Sequence, residues 1–473
     1  MSAFSALRFA LPFLIGGSLL VASCKKTEEI DPVATTTPAD TTNIAINNWI
    51  LANMKYYYLW NDKIPADPDK TLAPDKFFNS ILYDYGNTAN INRDRFSFIR
   101  PTVSAITSLL NGQSKMTGLE YKFYYADQAR TSVFALVIYV LPGSPAAAAG
   151  VKRGDIIAKV NGAALNGSNY STALTSSDTY LLEFATYTNS TIVYTGQSKQ
   201  ITAVNFQLDP VLMDSTYTVN GKTIGYLVYN QFIPGVAKAD GSIDNTFDTK
   251  LDNIFGKFKQ KGVNELVLDF RYNPGGYVSS STQLASLLVK NADASKVYFK
   301  QQWNSNLNAS RGATQLFLTK ANNIGASLNH LVILTSGSTA SASELVINGL
   351  RPFMTVTTIG TTTYGKNVGS ITLSDKSGNV KWAMQPITFK SANAQDFSDY
   401  AAGFTPTVEV KEPSSGLKAL GDLTEPLLSE AVYQITGNRF ARRTASLNTD
   451  VSSIGSSLDQ KVQELNMVID AKP

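Results

Sequence analysis

Between Lys222 and Leu350 the chain alternates between apolar runs of strand length and amphipathic runs of helix length. Lys222-Thr223-Ile224-Gly225-Tyr226-Leu227-Val228 reads as a strand, and Phe247, Leu251, Ile254, Phe255 and Phe258 line one face of a helix. Glu265 to Phe270 is a largely apolar strand, and Thr282 to Val289 is helical. His330-Leu331-Val332-Ile333-Leu334-Thr335 is again a strand; it runs into a Ser/Thr/Gly loop and a helix from Ser341 to Leu350. Strands and helices in this order pack as a mixed or parallel sheet layered by helices.

The texture upstream is different. Ile46, Trp49 or Ile50, Met54 and Tyr57 or Tyr58 recur at three- and four-residue steps, so a helical domain with the crowd Tyr56 to Trp60 in its core is expected. A second helix is expected near Asp75 to Leu82, and Arg95-Phe96-Ser97-Phe98-Ile99 reads as an extended exit. From about Gln113 to Leu212 short alternating β runs take over. Gly118-Leu119-Glu120-Tyr121 and Val133 to Leu141 are strands, Pro145 to Ala149 is a short helix ended by Gly150, and Asn161-Gly162 is a hairpin turn.

The first two dozen residues are a targeting segment: Arg8 precedes an apolar run from Phe9 through Ala22 that is short for a bilayer span. The run ends in Leu20-Val21-Ala22-Ser23-Cys24, and Cys24 is the only cysteine. A lone cysteine makes no internal disulfide. The site resembles the lipobox of bacterial lipoproteins, which implies lipidation at Cys24 and a lipid-anchored cell-envelope location, outer membrane, periplasmic or surface-facing. The polar stretch that follows, to about Asn43, is a tether, and its acidic pair Glu28-Glu29 is a candidate export cue. A net charge of +4 over 473 residues, with no basic run interleaved with aromatics, excludes a nucleic-acid face.

Three segments carry chemistry. Ser341 stands at a strand-to-helix junction, where the unpaired amides of a helix start can meet developing negative charge. Ser341-x-x-Glu344 also fits a capping box that merely starts a helix. Lys366 follows 25 residues later, flanked by Gly365 and Gly369, and Asp269 to Gly276 is a buried strand ending in a Pro-Gly-Gly turn. A serine nucleophile needs a base, and the only histidine, His330, begins the strand whose other end leads to Ser341. Such a strand spans ~17–20 Å, too far for direct proton transfer. A lysine can serve when burial disfavours its ammonium form.

The series Gly143 to Gly150, Arg153-Gly154-Asp155 and Asn161-Gly162 resembles a bacterial PDZ domain. With the three chemical segments and the late Gly403-Phe404-Thr405-Pro406-Thr407-Val408-Glu409-Val410, the chain resembles the C-terminal-processing, or tail-specific, serine peptidases. The resemblance implies a multidomain α+β protein whose catalytic core has the crotonase-like (ClpP/crotonase-type) βα spiral. It implies Ser341 as nucleophile and Lys366 as general base, with the amides of Gly275 or Gly276 and of Ala342 as the oxyanion hole. It also implies a peptide groove beside the strand that begins near Gly118, with Thr117, Gly118 and Leu119 as its carboxylate loop. Many members carry a Gln four residues past the lysine; here the residue is Ser370, a candidate for the same role.

The expected domains are a signal segment (1–23), tether (24–43), N-terminal helical domain (44–111), PDZ-like domain (112–212), catalytic domain (213–440) and helical tail (441–473). The expected substrate is a peptide or unfolded protein, with no metal or cofactor. Two alternatives share the fold: a non-catalytic peptide-binding or scaffolding lipoprotein, and a crotonase-like acyl-CoA enzyme, against which the export signal and the PDZ-like module argue. Neither an activating partner nor the oligomeric state is legible.

Overall fold

The structure, a computed structural model, describes residues 42–188, 190–238, 241–440 and 453–469, all within one compact unit, Thr37–Pro473. The signal segment, Cys24, Glu28-Glu29 and nearly all of the tether lie outside the described residues.

The six-stranded central sheet has the order Val211–Val219, Lys222–Tyr229, Glu265–Asp269, His330–Thr335, Val356–Gly360, Val408–Glu409. The first pair is antiparallel and the others are parallel. Glu265–Asp269 is buried along its whole length, which is why it reads as a near-continuous apolar run. Leu266 and Leu268 face a core shared with helices Thr246–Gln260, Val278–Ser286 and Ala342–Leu350. Val267, between them, faces the core under helix Pro426–Thr436, as the two-residue period of a strand demands. The fold is the mixed α+β arrangement expected, and the parallel strands end together, delivering the loops of Gly275, Ser341 and Lys366 to one edge.

The helix expected at Thr282 to Val289 instead runs from Val278 to Ser286. Its serine-rich start looks like loop in sequence, but Ser281 and Thr282 donate to Val278 O and Ser286 donates to Thr282 O. The hydroxyls are thus satisfied inside the helix and can be buried.

In the N-terminal region, Ile50 and Met54 of helix Asn43–Tyr57, with Tyr58 just past its end, pack against Phe77, Phe78 and Ile81. The following strand, Phe98–Arg100, pairs with Ala383–Gln385, so this region is built into the main body rather than standing apart. In the PDZ region, Leu119–Tyr125, Val133–Val140, Ile156–Val160, Thr179–Thr188 and Thr191–Thr202 form an antiparallel sheet. Asn161 (φ 52°) and Gly162 (φ 81°) both take left-handed values, as a tight Asn-Gly hairpin requires.

Buried charges fasten this region to the central sheet. Arg153 Nη2 donates to Glu412 Oε1 at 2.8 Å and its Nη1 to Tyr272 Oη at 2.6 Å; Arg271, fully buried, bonds Asp269, Glu412 and Glu425. Burial opposes ionisation of Glu412, but Arg153, Arg271 and Lys122 prevail and hold it well below the usual carboxylate range.

The tail expected to be helical is only partly so. Gly455–Ser456 adds antiparallel to the edge of Leu119–Tyr125, Asp459–Glu464 is a helix, and Met467–Val468 pairs parallel with Val368–Ser370. Open sheet edges supply backbone partners to a segment whose own sequence has no strand signature.

Candidate active site

Three loops leave the ends of the parallel strands and meet. In the first, Asn273 Nδ2 donates to Tyr229 O at 2.8 Å, and its Oδ1 accepts Gly275 N–H at 2.9 Å. Gly275 (φ 112°) and Gly276 (φ 128°) adopt backbone that side chains avoid. A Cβ on Gly275 would sit 2.5 Å from Ser341 Cβ, and one on Gly276 would sit 2.3 Å from Phe232 O. Only glycine permits this approach. Because Gly275 N–H is taken by Asn273, Gly276 N–H is the amide in this turn with no backbone partner among the described residues.

Ser341 closes the second loop. At φ 61° and ψ −118° it is strained for a residue with a side chain. Ala340 N–H bonds Asn273 O at 3.1 Å and Ser343 Oγ donates to Asn273 O at 3.0 Å, pinning this loop to the first. Glu344 Oε2 accepts Ser341 N–H at 3.0 Å, the return half of a capping box, yet the buried Ser341 Oγ has no hydrogen-bond partner. Ser341 stands in the capping-box position, but its Oγ makes no hydrogen bond of normal geometry to the helix, and an unpaired buried hydroxyl costs ~1–3 kcal/mol. Ala342 N–H, at the first helical position, has no carbonyl of its own helix to bond.

Glu344, which the sequence marks only as a capping residue, joins the second loop to the third. Fully buried, its carboxylate also accepts from Thr363 Oγ1 at 2.5 Å, Gly365 N–H at 2.7 Å and Lys366 N–H at 2.7 Å. Burial raises its pKa, and these donors together with Ser341 N–H work against the rise. One side chain thus sets the backbone of both Ser341 and Lys366.

Lys366 is fully buried, its ammonium nitrogen 4.6 Å from the centre of the Phe96 ring. Burial pushes its pKa well below a lysine's ordinary range, with the Glu344 carboxylate acting the other way. Nζ donates to Val462 O at 3.1 Å, Gln463 O at 2.8 Å and Leu465 O at 3.3 Å, and does not bond Ser341 Oγ. Ser370 Oγ lies 3.4 Å from Gln385 Oε1, with no bond to Lys366, so in this arrangement backbone carbonyls hold the amine.

His330 begins its strand exposed, with Nδ1 2.7 Å from Glu265 Oε2. Thr117 and Gly118 form a tight turn against Ser144: Ala146 N–H bonds Thr117 O at 3.0 Å, and a Cβ on Gly118 would meet Ser144 Cβ at 2.1 Å. Leu119 N–H lies 3.4 Å from Thr117 Oγ1. No cluster of three or more metal-ligating side chains occurs among the described residues, and no described helix is long and apolar enough to cross a membrane.

Three family models match the chain: Peptidase S41 N-terminal domain at residues 45–98, PDZ domain at 136–175 and Peptidase family S41 at 223–410. A "Probable CtpA-like serine protease" of Staphylococcus saprophyticus is 24% identical over 277 residues, covering 57% of this chain and 49% of the relative. One of the same description from Staphylococcus aureus is 25% identical over 257 residues, covering 54% and 46%. The chain therefore matches about half the length of these curated relatives. Among solved structures, a Bacteroides fragilis protein described as an S41 protease superposes with a TM-score of 0.67 at 28% identity, over 82% of this chain and 97% of that one.

Proposed function

Because the chain belongs to Peptidase family S41 and carries a PDZ domain, we propose that it is a serine endopeptidase that hydrolyses unfolded or C-terminally exposed protein segments. In this reading the neutral Lys366 amine takes the proton of Ser341 Oγ as the hydroxyl attacks the scissile carbonyl. The amides of Gly276 and Ala342 receive the negative charge, each such donor being worth ~3–4 kcal/mol to the transition state. The lysine ammonium returns its proton to the leaving amine, and water then cleaves the acyl-enzyme.

The observation that carries the reading is the shared carboxylate of Glu344, which holds the strained backbone of Ser341 and that of the fully buried Lys366. A buried amine and a buried, unpaired hydroxyl on two loops joined by one carboxylate are an expensive arrangement with a chemical use. The chain should degrade a denatured protein, and Ser341→Ala and Lys366→Ala should each abolish this. Undiminished turnover in either variant refutes the dyad.

The missing bond between Ser341 and Lys366 favours a second reading, a peptide-binding scaffold on the same fold. It is distinguished by saturable peptide binding with no Ser341-dependent product in mass spectra of long incubations. We further propose that Cys24 carries lipid and places the protein in the cell envelope. Membrane-fraction recovery should be lost in Cys24→Ala, and recovery unchanged by that substitution removes the proposal.

A further inference from the structure

In this arrangement Ser341 and Lys366 are both fully buried, so no substrate carbonyl can reach them. Part of what covers the site is the segment 453–469. Ile454 N–H and Ser457 N–H bond Phe123 O and Tyr121 O at 2.9 and 3.0 Å, and Ser457 Oγ accepts Tyr121 N–H at 2.9 Å. Ile454 packs into the PDZ core with Tyr170, whose hydroxyl donates to Ile454 O at 3.3 Å. This is how an extended peptide adds to a sheet edge, with main-chain bonds for affinity and a side-chain pocket for selection.

Leu458 and Val462 of the same segment then pack in one cluster with Ala340 and Tyr272, neighbours of the nucleophile loop. The carbonyls of Val462, Gln463 and Leu465 take the Lys366 amine. Beyond them Val468 N–H bonds Gly276 O at 3.2 Å, and Met467–Val468 pairs with Gly369 and Ser370. Two ion pairs anchor the run, Lys461 to Glu120 and Glu464 to Arg100.

We propose that residues 453–469 are a tethered polypeptide ligand filling the chain's own peptide path from the PDZ edge to Lys366, and that a client segment reaches Ser341 only by displacing them. The catalytic half rests on the peptidase reading; the binding half rests on the contacts. Nζ donates to three carbonyls of the seated segment and makes no bond to Ser341 Oγ, so the segment holds the amine away from the hydroxyl it would have to deprotonate. Once the segment leaves, the amine loses these three acceptors and is free to turn to Ser341 Oγ. The segment also states the chemistry of a competitor: an unfolded polypeptide with an apolar residue followed by small ones, as in Ile454-Gly455-Ser456-Ser457.

Two variants test this. One chain ends at Ser452. Because that exposes the beds of Leu458, Leu465 and Met467, a second keeps the whole chain and carries Lys122→Cys and Ser456→Cys with Cys24→Ser. The paired positions face each other in register, so oxidation locks the segment and reduction frees it. The probes are a fluorescent peptide of sequence 453–469 and denatured casein.

The expected results are saturable peptide binding to the shortened chain, displacement of the peptide by casein, and casein binding and cleavage each roughly tenfold or more weaker in the oxidised than in the reduced double-cysteine chain. Peptide that does not bind a folded shortened chain, peptide that casein leaves in place, or equal casein binding in the oxidised and reduced chains overturns the proposal. Casein that displaces the peptide, binds better after reduction and is cleaved by no form supports the tethered ligand and removes the peptidase reading instead. Equal cleavage with unequal binding overturns the claim that displacement admits the client to Ser341.

Discussion

Replacing Glu344 with glutamine exchanges one oxygen for an NH2 group at nearly constant volume, so it removes acceptor capacity without opening a cavity. Oε1 accepts Thr363 Oγ1 and Gly365 N–H, and Oε2 accepts Ser341 N–H and Lys366 N–H. With the NH2 at the Oε2 position, both of the latter amides face a donor. With it at the Oε1 position, Gly365 N–H is orphaned. Thr363 Oγ1, already accepting Phe404 N–H at 2.7 Å, must then also turn its own proton elsewhere. The second placement is the cheaper one. It leaves one buried amide and one hydroxyl proton unsatisfied, a loss of ~2–4 kcal/mol. Urea denaturation should show this loss. Because the carboxylate sets the Ser341 backbone, labelling of the serine by a fluorophosphonate should slow by roughly tenfold or more, each ~1.4 kcal/mol being a factor of ten. Glu344→Gln with the parent's stability and the parent's labelling rate would falsify the assignment of Glu344 as the joint between the two loops.

Two further perturbations probe the frame around the site. Asp248, in the first turn of helix Thr246–Gln260, is pushed by burial from an ordinary 3.8 up to about 7, against the Ser280 hydroxyl and Lys320. A carboxyl raised on folding contributes stability below its unfolded pKa and loses it as pH rises from about 4 through about 7. Asp248→Asn should therefore exceed the parent by up to ~4 kcal/mol at pH 8 and gain nothing at pH 4; a urea-measured difference that does not grow with pH contradicts this. Arg153→Ala strips Glu412 and Tyr272 Oη of a buried cation, and breaking such a pair costs ~3–5 kcal/mol. Calorimetry should show the PDZ region melting ahead of the rest, and a single transition at the parent's temperature rejects the clamp.

Much of the frame was legible from consecutive residues. Glu265 to Phe270 and His330 to Thr335 read as strands because both their faces are covered, leaving almost no polar position to blur the pattern. The turn at Asn161-Gly162 was legible because two left-handed residues in a row suit few other pairs. Helix Val278–Ser286 was misplaced because its hydroxyls are satisfied by its own carbonyls, which composition does not reveal. Glu344 reads in sequence only as a cap because three of its four donors lie in the loop of Thr363 to Lys366, whose meeting with the helix start no spacing encodes.

Side-chain period and turn chemistry are properties of neighbours along the chain, so sequence by itself determined the layered α/β core, the PDZ-like module, and the strand ends that carry Gly275, Ser341 and Lys366. What surrounds the Lys366 amine is another matter, since its partners are carbonyls 96, 97 and 99 residues away. Every residue has a carbonyl, so no side chain announces that role. Only the register of the sheets, which seats 453–469 along one edge and then another, decided it.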